Sequence, residues 1–206
     1  VGYAKSNTPE FGAGANTFND VFGATRNPWN TALSCAGSSG GSAVALATGM
    51  AWIASGSDLG GSLRNPASFC GIVGFRPSIG RIPTTTGDMA FYRLSVEGPM
   101  ARTVGDVAML LDVMAGRDPR DPLSVSRPKQ KFEAMAESRT VPKRIAFSPD
   151  LGVTPVDPEI ASICARAAQQ FEDLGGNCRR SPPRFFWLAA RIPHLPCSWD
   201  GCPSWQ

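Results

Sequence analysis

Apolar and polar positions along the chain switch between helical and strand-like spacing, and the switches mark the elements. From Gly40 to Ala51 small residues mix with Val44, Leu46 and Met50, the pattern of a closely packed, buried helix. Trp52 to Ser57 reads as a short strand. Gly61 to Phe69 opens a second helix, interrupted near Pro66, and Ile72 to Arg76 reads as a buried strand stopped by Pro77. Upstream, Val1 to Ala4 reads as the end of a strand. Lys5 to Asn30 is rich in Asn, Gly, Thr and Pro and is expected to form a long ordered loop or several turns.

From Thr103 the signals sharpen. Thr103 is placed to cap a helix, with Asp106 in its first turn. Val107, Leu110, Leu111 and Met114 recur at helical spacing, and Gly116 ends the run. An irregular "GRDPRDPLS" connection follows. Arg144 to Phe147 reads as a strand. Asp157-Pro158 starts a helix with proline at its first position, Ile160, Ile163, Ala167 and Phe171 form one face, and Gly175 ends it. Short strands alternating with helices predict an α/β fold.

Composition narrows the function classes. The chain has 206 residues, 42% of them hydrophobic, which suits a globular domain rather than a disordered segment. The net charge of +3 is small and dispersed, which argues against nucleic-acid binding. No apolar run approaches the ~20 residues that a membrane-spanning helix needs. Val1 is preceded by no basic segment and followed by no apolar core, so no signal peptide is visible and a cytoplasmic location is expected. Cys35, Cys70 and Cys164 lack metal-like spacing and are expected to be buried free thiols.

The segment from residue 177 to 206, "NCRRSPPRFFWLAARIPHLPCSWDGCPSWQ", breaks this style. It holds three of the five Trp, three of the six Cys and the only His. One reading is a metal site built from Cys178, His194, Cys197 and Cys202. The preferred reading is a tail foreign to the domain, such as out-of-frame translation after about Gly176.

Two Gly-Ser clusters raise the question of chemistry: "GSSGGS" around Ser38 and Ser39, and "DLGGSLR" around Ser62. There is no GxxxxGK[ST], so a phosphate loop is disfavoured. There is no GxSxG elbow, and a Ser-His-Asp triad would need His194 in the atypical tail. A serine nucleophile here therefore calls for a different base, with a desolvated lysine as the main remaining choice. Leu59-Gly60-Gly61-Ser62 can turn consecutive N–H groups toward an anion, as an oxyanion hole requires. Composition alone leaves two structural turns as the competing account.

The stretch "GSSGGSAVALATGMAWIASGSDLGGSLRNPASFCGIVGFRPS" resembles the signature region of the amidase signature family of serine hydrolases. Ser38 and Ser62 stand 24 positions apart, as that family's pattern requires. "AKSNTPEFGAGANTFNDVFGATRNPWN" resembles the segment before the signature, and "LSVEGPMARTVGDVAMLLDVMAG" the segment after it. The resemblance runs over residues 1 to 176, a partial domain, and leaves residues 177 to 206 outside.

The resemblance implies a mixed central sheet flanked by helices and a Ser–cis-Ser–Lys triad. Ser62 is then the nucleophile, and Ser38, preceded by a cis peptide bond, relays the proton. The N–H groups of Leu59, Gly60, Gly61 and Ser62 form the oxyanion hole, and Ser39, Asp58 and Arg64 organise the loop. Cys70 is read as packing. The family's lysine lies upstream of the first serine cluster and outside this chain, and Lys5 does not match it. The implied activity is hydrolysis of a small-molecule, non-peptide amide, without metal or organic cofactor. Rival readings are the amidase-type component of a glutamine-dependent tRNA amidotransferase and an inactive truncated product. Phe91, Tyr92 and Met89 are candidates to line an acyl pocket, or equally a structural loop. A homo-oligomer is compatible with the sequence.

Overall fold

The computed structural model describes residues 2–84, 91–92, 94–138, 140–152 and 155–180. The chain divides into two compact units, residues 1–138 and 139–206. The site lies in the first.

The first unit opens with a 3-10 turn, Glu10–Gly12, and a minimal hairpin of β1 (Phe18–Asn19) and β2 (Gly23–Ala24). No strand forms at Gly2–Ala4. This segment is held by side chains rather than by regular pairing. Asn27 donates to the carbonyl of Phe69 at 2.9 Å, and the Trp29 indole donates to that of Cys70 at 2.8 Å. Both acceptors lie at the C-terminal end of a later helix, where carbonyls lack intrahelical partners.

Helix α1 (Gly40–Ala47) is shorter than its apolar run. Thr48 and the left-handed Gly49 end it, so Met50 and Ala51 leave the helix. Strand β3 (Ile53–Asp58) follows, then helix α2 (Arg64–Cys70). Pro66 does not interrupt α2. It is the third helical residue, in the first turn where proline is tolerated, and Gly71 closes the helix in the left-handed region at φ 71°. Of the expected strand at 72–76 only β4 (Val73–Gly74) pairs regularly.

The central strand of this unit, β5 (Val96–Ala101), has no counterpart in the sequence reading, because Gly98 and Pro99 interrupt its pattern. It pairs antiparallel with β3 on one side and β4 on the other, Ser57 opposite Glu97 and Val73 opposite Ala101. Pro99 offers its carbonyl to Phe75 N at 3.1 Å. Cys35, Ala43, Leu46, Leu63, Cys70 and Met100 form the buried cluster that joins α1, α2 and this sheet.

Helix α3 (Val104–Met114) begins as its sequence dictates. Thr103 Oγ1 accepts from Asp106 N at 3.1 Å and donates to its carboxylate at 2.6 Å. Val107, Ala108 and Leu111 are its buried face. The short α4 (Phe132–Glu137) starts where the Asp112 carboxylate accepts from Phe132 N and Glu133 N.

The second unit contains β6 (Arg144–Phe147), α5 (Pro158–Asp173) and β7 (Asn177–Arg180), with β6 and β7 parallel. Asp157 caps α5 through Glu159 N at 2.8 Å. Cys164 corrects the sequence expectation: it lies on an exposed face of α5, whereas Cys35 and Cys70 are buried. Asn177–Arg180 forms a regular strand although its composition already belongs to the atypical stretch. His194, Cys197 and Cys202 lie outside the described residues, as does Met89. Among the described residues no group of His, Cys, Asp and Glu could hold a metal ion, and no helix is long and apolar enough to cross a membrane.

Candidate active site

The two serine clusters meet because each sits at a junction between a loop and a helix that share one buried cluster. The first loop enters α1 through Ala36, at φ 59°, and a cis peptide bond between Gly37 and Ser38. Thr17 holds it from behind. Its hydroxyl donates to Ala36 O at 2.9 Å and accepts from Gly40 N at 3.1 Å. Gly40 permits this approach, since a Cβ there would lie 2.7 Å from the Cys35 sulfur and closer still to Thr17 Oγ1.

Ser39 ties the clusters together. Its N–H donates to Ser62 O at 3.3 Å, and its hydroxyl exchanges two 3.3 Å bonds with the backbone of Ser57 on β3. Those bonds occupy the hydroxyl.

Asp58 organises the second loop. It is fully buried at the end of β3. Its Oδ1 accepts from Gly61 N at 2.8 Å and its Oδ2 from Leu63 N at 3.2 Å. Arg64 binds both carboxylate oxygens at 3.0 Å. Arg76, which the sequence reading did not single out, adds a 3.0 Å bond to Oδ1 and a second to the Asp58 carbonyl. Burial opposes ionisation of Asp58, but the Arg64 guanidinium and the two backbone N–H groups outweigh it and bring the pKa down to about 2. Burial likewise pushes the thiols up, Cys70 to about 11, so both cysteines stay protonated packing groups.

The result is one cavity of about 570 Å³, in the range of small-molecule sites. Ser38, Leu59, Gly60, Gly61 and Ser62 all line it. Residues 11–15 form another wall, and Gly37, Ser57, Asn65 and Ser95 complete the described lining. Ser39, Asp58 and Arg64 stand behind the lining rather than in it. Lys5 is not among the lining residues, and neither are Phe91 and Tyr92. The Gly61 N–H is turned to Asp58, so it can serve an oxyanion only as a shared donor. Thr17, Arg76 and Asn65 were illegible in the sequence because their roles depend on contacts across 18 or more residues, or on a helical turn whose start the sequence left open.

The structure thus brings Ser38, behind its cis peptide, and Ser62 to one cavity. The chain matches the amidase family model over residues 1–186, and it belongs to that family. It is 39% identical to an acylamidase from Rhodococcus erythropolis over 95% of this chain and 42% of the relative. It is 38% identical to a glutamyl-tRNA(Gln) amidotransferase component from Marinomonas sp. over 90% of this chain and 40% of that one. Its fold superposes on a bacterial aryl acylamidase of the amidase signature family with a TM-score of 0.80 at 40% identity, covering 85% of this chain and 36% of the other. The chain thus spans about 40% of the length of these relatives.

Proposed function

We propose that these residues are the serine-bearing part of an amide hydrolase acting on a small-molecule, non-peptide carboxylic amide. The observation that carries this is the cavity where Ser38, behind its cis peptide, and Ser62 come together from two separate clusters. Ser62 Oγ attacks the amide carbonyl and passes its proton through Ser38 to a base. The carbonyl oxygen takes the negative charge and is held by the N–H groups of Leu59, Gly60 and Ser62, with Gly61 as a shared donor. The C–N bond then breaks, the amine leaves with a proton returned through Ser38, and water hydrolyses the Ser62 ester to the acid. The resemblance to the amidase signature family implies a lysine, upstream of the first serine cluster in the family's pattern, as that base.

The amidotransferase reading has its support in the relatives of that name. The test is made in the full-length protein. Hydrolysis of neutral acyl amides and labelling by a fluorophosphonate are both expected to disappear in Ser62→Ala. Turnover of glutamine in preference to simple amides would favour the rival, and unchanged activity in Ser62→Ala would overturn the serine assignment.

A further inference from the structure

We propose that Asn65 reads the N–H of the scissile amide, and so sets the preference of the site for amides over esters. The proposal rests on the amidase reading above and concerns one residue that it leaves without a role.

The position of Asn65 follows from the turn before it. Its N–H donates to Gly61 O at 2.7 Å, which carries the helical path back one turn from the start of α2. Ser62 and Asn65 are therefore three residues apart on one helical turn, a spacing that puts side chains on a common face. Both line the cavity. The Asn65 carboxamide sits directly over Gly61, where a Cβ would lie 2.7 Å from its nitrogen, and Gly61 at φ 127° leaves that space open. Asp58 fixes the turn through Gly61 N and Leu63 N, so the carboxamide projects from a rigid base.

The chemistry is selective. Serine hydroxyls and backbone groups make up the other polar lining, and Asn65 brings the one carboxamide among the described lining residues. Its oxygen is a hydrogen-bond acceptor on the wall that Ser62 also lines. When Ser62 has added to the carbonyl, the nitrogen's lone pair must turn toward the proton donor before the C–N bond can break. An acceptor for the N–H holds the nitrogen in that orientation. An ester offers no N–H and gains nothing.

The experiment compares the full-length protein with Asn65→Leu, Asn65→Ala and Asn65→Asp on an anilide and on the phenyl ester of the same acid. The Leu and Ala variants are expected to lose about tenfold in kcat/KM on the anilide, the scale of one hydrogen bond. On the ester they are expected to stay within about twofold, because no N–H bond is lost there. Asn65→Asp, which keeps the acceptor, is expected to retain the ratio of the unsubstituted protein. Fluorophosphonate labelling of Ser62 at an unchanged rate shows that the site is intact. Equal loss on both substrates, or none on either, would overturn the role of Asn65 while leaving the amidase reading in place. Absence of both labelling and hydrolysis in the unsubstituted protein would overturn that reading, and the Asn65 assignment with it.

Discussion

A carboxylate shut away from water persists as an ion only if donors replace its hydration, and Asp58 has them on both oxygens. Removing its charge leaves Arg64 and Arg76 without their anion. Asp58→Asn is expected to destabilise the protein by about 2–4 kcal/mol at pH 7, toward the range for breaking a partly buried ion pair. The pH dependence has a definite sign. The folded pKa of about 2 lies below the usual value of 3.8. The stabilisation is thus full above pH ~4 and is lost as the pH falls toward 2. Urea unfolding should show the gap between the unsubstituted protein and Asp58→Asn closing over that interval. A gap that stays constant would mean that the carboxylate's ionisation contributes nothing.

At the scale of elements, the entry into α1 sets the place of Ser38. Gly40 and Gly105 both lie near the start of a helix but differ in surroundings. A Cβ on Gly40 would press on Cys35 and Thr17, whereas at Gly105 the nearest contact is Thr103 Oγ1 at 3.9 Å. Gly40→Ala is expected to cost about 1–3 kcal/mol through overpacking. It should also slow fluorophosphonate labelling of Ser62, because α1 would shift from the loop that carries Ser38 and Ser39. Gly105→Ala is expected to stabilise by about 0.5–1 kcal/mol through helix propensity, with labelling unchanged. Thermal unfolding and labelling rates of the two variants check this. Equal behaviour of the pair would mean that the Thr17–Gly40 contact does not position the site.

For the whole molecule, the decisive matter is the base. The described cavity brings together Ser38, Ser62 and the backbone of Leu59, Gly60 and Gly61. Loss of one triad member commonly leaves only a small residue of catalysis. The 206-residue chain by itself is accordingly expected to hydrolyse a neutral anilide at least ~10³-fold more slowly than the full-length protein. Comparable turnover by the chain alone would place the base within it. The surface also carries large exposed apolar side chains, among them Phe11, Phe22, Trp29 and Trp52.

The sequence by itself determined what is local or encoded in ordered motifs. Thr103 and Asp157 announced their helices because a cap acts within three residues. The order and spacing around Ser38 and Ser62 identified the amidase family, since those residues serve backbone turns and chemistry that permit few substitutes. Tertiary structure decided everything that depends on neighbours distant in the chain. Strand β5 escaped notice because its core position comes from pairing on both edges, which overrides the poor strand propensity of Gly98 and Pro99. Cys164 was misplaced because a thiol's burial depends on what packs against its helix face. Arg76 and Thr17 acquire their roles only when folding brings them to Asp58 and Ala36, 18 and 19 residues away along the chain. The same folding turned the Gly61 N–H inward to Asp58 and left Asn65 facing the cavity, a choice set by the carboxylate beneath the loop and by no signal within it.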